Sequence, residues 1–128
     1  MDGWSKLEAN IKNILEKANI KKKYTLEYLT TYSCEKKLEK NSLIYFHGHI
    51  YKVVNLGYVT NNSTQLEPLD DFNYVDGAKL VDILNPNNTG IRTFRYLTSG
   101  TVYLINFEQD NDYNHEINEV LRIAGVKS

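Results

Sequence analysis

The chain is short of several features that would narrow its function. It has one cysteine, Cys34, in 128 residues. That excludes an internal disulfide and any zinc site built on paired cysteines. A lone cysteine also fits a reducing compartment. Proline occurs twice and alanine four times. No apolar run nears the roughly 18 residues of a membrane span. The opening Met1-Asp2-Gly3-Trp4 lacks the basic-then-apolar order of a secretory signal. No membrane contact and a cytoplasmic location are therefore expected. The net charge is −1, too small for attachment to nucleic acid or membrane by bulk charge. No glycine-rich phosphate loop, dinucleotide fingerprint or Gly-x-Ser-x-Gly element occurs. No acid/base or nucleophile set has recognisable spacing. No catalytic residue and no cofactor are expected, and the reading is of a non-enzyme.

Tyrosine (10) and asparagine (15) are abundant instead. Lys, Asn, Ile and Tyr have AT-rich codons, so the bias suggests a low-GC bacterium, its phages or a large DNA virus. In a virus the location becomes host cytoplasm or virion. Charge is unevenly divided. Residues 1–52 hold ten lysines against six acids, and residues 53–128 hold five bases against ten acids. Such a polar chain can stack on copies of itself or dock on a charged partner. It can equally be a solvated basic helix beside acidic loops.

The length suits one domain over residues 1–128. Trp4, Leu7, Ile11, Ile14, Leu15 and Ala18 recur at helical steps. Ser5 with Glu8 reads as a capping box, and Asn19 suits a left-handed end. A helix over about 5–19 follows. Residues 24–32 read equally as a strand or as a short helix from Thr25. Residues 35–41 read as a polar loop. Leu43–Phe46 and Ile50–Val54 flank His47-Gly48-His49 and predict a hairpin. Gly57 marks a bulge or a barrel corner, 64–67 a further strand, and 78–84 a strand or one helical turn. A second hairpin is predicted from Ile91–Leu97, a Thr98-Ser99-Gly100 turn and Thr101–Phe107. It would place Arg92, Phe94 and Tyr96 on one face. Ile117, Val120, Leu121 and Ala124 predict a closing helix over about 114–124. The expected fold is α+β: a small antiparallel sheet or SH3-like barrel over about 24–107, flanked by an N-terminal and a C-terminal helix.

Three groups could carry chemistry. His47 and His49 can share a metal only if the turn aims both rings one way and a distant residue, such as His115 or Asp70, completes the site. The plainer reading is a polar hairpin tip, so no metal is expected. Asp70, Asp71 and Asp76 do not follow a calcium-loop pattern. Cys34 needs a positioned histidine to act as a nucleophile; a small packed thiol is the alternative. The tyrosines on predicted strands fill a core, stack bases or make a protein interface. The interface candidates are Trp4, Tyr45, His47, His49, Tyr51, Arg92, Arg95 and Tyr96.

The segment Leu43-Ile44-Tyr45-Phe46-His47-Gly48-His49-Ile50-Tyr51-Lys52-Val53-Val54 is similar to a hairpin of SH3-like small barrels. Head-completion and connector proteins of tailed phages are among these. The resemblance covers about a tenth of the chain and carries over no functional residue. The lack of a catalytic constellation beside many interface-type residues points to a protein-binding or assembly protein that associates with a protein partner or with itself, and the resemblance adds a phage or viral particle as its setting. The other reading is a small regulator or inhibitor of nucleic acid or a host enzyme, with Lys21–Lys23 and Lys36–Lys40 as its contact patch.

Overall fold

The structure is a computed structural model describing residues 3–60, 65–68 and 75–108. It mixes helix with sheet. Helix α1 (Gly3–Lys17) leads to β1 (Tyr24–Tyr28), then α2 (Thr31–Lys37), β2 (Leu43–Phe46) and β3 (His49–Thr60). β4 (Gln65–Pro68), β5 (Gly77–Asp82), β6 (Thr89–Thr93), α3 (Phe94–Ser99) and β7 (Val102–Phe107) follow. The strands form one antiparallel sheet in the order β1-β7-β2-β3-β5-β6, with β4 beside β3. β1 and β6 end this path, so the sheet is open, where the sequence also allowed a small barrel. Helices on both faces bury it without closure.

Alternation along the strands assigns each face. Leu43 and Ile105 join Ile11, Ile14 and Leu15 of α1 on one side. Ile44, Phe46, Leu80, Val102 and Leu104 pack on the other, with Cys34 of α2 and Phe94 and Leu97 of α3. α1 starts at Gly3, ahead of the position a Ser5 cap requires, and Glu8 instead accepts from the Tyr24 hydroxyl at 2.9 Å. Its far end behaves as expected. Asn19 has φ 64°, the Ile20 N–H reaches the Leu15 carbonyl, and Asn19 N–H reaches Glu16. These two bonds satisfy carbonyls that the last turn leaves open.

Residues 24–32 divide between both readings. Tyr24–Tyr28 is strand, and α2 begins once Thr30 accepts from the Ser33 N–H at 3.1 Å. The loop expected over 35–41 therefore starts later, because Cys34 and Leu38 bury on the helix side.

The first hairpin forms as expected. His47 (φ 51°) and Gly48 (φ 81°) make a two-residue turn between Phe46 and His49. Two positive φ values match the right-handed twist of the strands. The bulge lies between Val53 and Asn55 rather than at Gly57. Gly57 serves close approach: a Cβ there would stand 1.9 Å from the Glu67 carbonyl oxygen.

The second expected hairpin is absent. Residues 94–99 are helix α3, and β7 pairs with β1 and β2 instead of β6. The Thr93 side chain accepts from the Tyr96 N–H at 3.0 Å, capping a helix whose Phe94 and Leu97 enter the core. A three-residue spacing thus outweighed strand alternation, and Arg92, Phe94 and Tyr96 do not share a sheet face. The expected closing helix at about 114–124 lies outside the described residues.

Among the described residues, no helix is long and apolar enough to cross a membrane.

Candidate functional site

α2 and α3 cover only part of their face of the sheet. Beyond α3, the ends of β2, β3, β5 and β6 remain uncovered and line a groove of about 140 Å³. Register explains which side chains meet there. Phe46 pairs with His49, Tyr51 with Asp82, and Leu80 with Gly90. Cross-strand partners share a face, so Phe46, Tyr51, Leu80 and Gly90 form the floor. Tyr96 enters from α3, His47 from the turn, and Arg92 from the edge strand.

Aromatic contacts order the wall. The Phe46 and His47 ring centroids lie 4.0 Å apart. Tyr96 meets Phe46 edge-on at 5.8 Å, and the Arg92 guanidinium lies 5.6 Å over the Tyr96 ring. Arg92 Nη1 also donates to the Ile91 carbonyl at 2.9 Å. Phe46 is buried while Tyr96 is 48% exposed, so the wall offers a large, partly fixed aromatic surface.

The far end is set by Asp82, a buried carboxylate in β5. Its Oδ1 accepts from the Leu84 N–H at 2.9 Å. Its Oδ2 accepts from His49 Nδ1 at 2.8 Å and Asn88 Nδ2 at 3.2 Å. Burial pushes this carboxyl upward, but the Leu84 N–H, the Asn88 amide and His49 together outweigh it and hold it below its ordinary value. The same bonds pin the 85–88 turn, which places Asn88 and Thr89 in the groove.

The interface candidates separate cleanly. His47, Tyr51, Arg92 and Tyr96 converge on the groove. Tyr45 lies on the opposite face with Leu7 and Tyr103, around a shallow depression that reaches the His47-Gly48 turn. His49 stays outside the groove lining and acts on it through Asp82. Arg95 is exposed on α3 and does not line the groove. Trp4 is the second residue of α1, and its side chain lies outside the described part. Asp82, Asn88 and Gly90 were missed. Only Asp82 left a signal, an acid inside the apolar run Leu80-Val81-Asp82-Ile83-Leu84.

The other chemical candidates lead elsewhere. Cys34 is fully buried, and burial, then the charge of Glu35, pushes its thiol to about 12. It is not a thiolate at neutral pH. Asp76 accepts from the Val59 N–H at 2.8 Å and bridges strands. Asp70, Asp71 and His115 lie outside the described residues. Among the described residues, no three His, Cys, Asp or Glu side chains gather to hold a metal. Of the lysine patch, Lys37 pairs with Glu27, and Lys22 and Lys36 lie over Phe107 and Tyr32.

No family model, no curated protein and no solved structure matches this chain.

Proposed function

We propose that the protein is a non-enzymatic interaction protein that docks another protein through the groove beside α3. The observation that carries this is the convergence of Tyr51, Tyr96, Arg92 and His47 on one surface. Tyr and Arg dominate the energetics of protein interfaces. Size supports the choice: about 140 Å³ falls below the roughly 300–1,000 Å³ of small-molecule pockets. It suits one or two side chains of a partner. The setting we propose is assembly, as in a phage or viral particle, supported by the hairpin resemblance of residues 43–54 and the AT-rich composition.

A regulator that tracks nucleic acid finds less support. Single-strand binders line a groove with cations along the backbone path. Here Arg92 is the one lysine or arginine among the described residues of the lining.

Light scattering at micromolar concentration tests the proposal, with the protein alone and after mixing with lysate of its source cells. The expected result is a defined increase in mass that a Tyr96→Ala variant lacks. A strictly monomeric protein that captures nothing contradicts it.

A further inference from the structure

We infer that the groove takes an acidic peptide segment, seating one apolar side chain on its floor and an adjacent carboxylate on Arg92. This rests on the groove being the binding surface. The first observation is charge. Among the described residues, none of the side chains lining the groove is a carboxylate. Asp82, at the end of the groove, is buried and committed to His49, Asn88 and the Leu84 N–H. Among the described residues, no carboxylate lies in ion-pair contact with Arg92.

The second observation is how Arg92 is held. Its guanidinium lies over the Tyr96 ring, 5.6 Å from the centroid, and is tethered through Nη1 to the Ile91 carbonyl. A guanidinium has five N–H donors, so the tether leaves most of the fork for another acceptor. A carboxylate accepts two parallel bonds from such a planar fork, which makes this pairing specific. Gly90 provides the space: a Cβ there would lie 2.7 Å from Nη1 and displace the group.

The third observation is the floor. Phe46 and Leu80 are buried apolar side chains, flanked by Tyr51 and Tyr96. This suits an apolar side chain next to the acid rather than a bare anion. It also disfavours a nucleotide, which would need more volume than the groove has.

The test uses three probes on the full chain, read by NMR shifts of the groove amides and by titration. They are acetyl-Glu-Leu-Glu-Leu-Glu-amide, its all-glutamine counterpart and oligothymidylate. The glutamate peptide should move the amides of 46–51 and 88–92. The glutamine peptide should bind roughly tenfold more weakly, the worth of a charge-assisted pair. Arg92→Gln should close that gap. Gly90→Ala, which keeps the charge but displaces the guanidinium, should narrow it. Tyr96→Ala should weaken both peptides.

Equal binding of the two peptides overturns the inference, as does a gap that survives Arg92→Gln. Oligothymidylate moving the same amides while neither peptide does overturns it and leaves the groove a binding surface for nucleic acid. No shift with any probe overturns it too; the wider reading is then decided separately by the light-scattering result.

Discussion

Asp82→Asn isolates the charge that organises the end of the groove. The substitution keeps the shape. The side-chain oxygen can still accept from the Leu84 N–H, whose bond to Asp82 is 2.9 Å long. The amide nitrogen that replaces Oδ2 then faces the NH2 of Asn88, donor against donor, and meets His49 Nδ1 without a charge. A hydrogen bond to an ionised group contributes about 1.5–3 kcal/mol. The His49 side chain is 53% exposed, so water replaces part of its bond. We therefore expect a net loss of about 2 kcal/mol, less than two full charged bonds.

The sign of the pH dependence follows from the low carboxyl of Asp82. In the unfolded chain an aspartate titrates near about 3.9. Above that value the carboxylate is ionised in both states and the native bonds contribute fully. As pH falls, the unfolded chain takes up its proton first, and the contribution disappears through the lower native value. Urea unfolding followed by circular dichroism should show a wide gap between wild type and Asp82→Asn near neutrality. The gap should narrow below about pH 4. The Asn88 and Thr89 amides should shift in the variant, because the pinned turn loosens. A loss under about 0.5 kcal/mol, the scale of an ordinary surface change, would refute the reasoning. So would a gap that does not vary with pH.

Other outcomes are equally specific. Phe94→Ala removes a ring that is 1% exposed and should cost about 3–5 kcal/mol in urea unfolding. Gly57→Ala places a methyl 1.9 Å from the Glu67 carbonyl. It should cost roughly 2 kcal/mol or more and increase amide exchange in β4 and the facing part of β3. Cys34, buried with its thiol near 12, should resist an aromatic disulfide reagent in the native state and react at once in denaturant.

Legibility followed the range of the forces involved. The first helix and hairpin were readable because their signals are local. Asn19 tolerates positive φ, and a glycine turn between β-branched and aromatic runs selects a hairpin. The segment 91–107 misled because Arg92 to Leu97 alternates like a strand. Its fate depended on Thr93 as a cap and on where Phe94 and Leu97 could bury. That choice is made by α2 and the sheet, distant in sequence. Four of the candidates named by residue type, His47, Tyr51, Arg92 and Tyr96, line one groove, although Tyr96 reaches it from α3 and His47 from the turn rather than from strands. Asp82 and Asn88 matter through a carboxylate whose partners come from two other segments, and Gly90 through the room it leaves Arg92. Neither relation has a sequence pattern.

Site-specific photocrosslinking tests the central claim most directly. A benzophenone side chain at position 96, in the groove wall, is compared with one at position 32, a still more exposed tyrosine on α2 outside the groove. In lysate of the source cells, the account predicts a discrete protein adduct from position 96 that Arg92→Gln weakens, and none from position 32. An adduct equal at both positions, or none at 96, would contradict it.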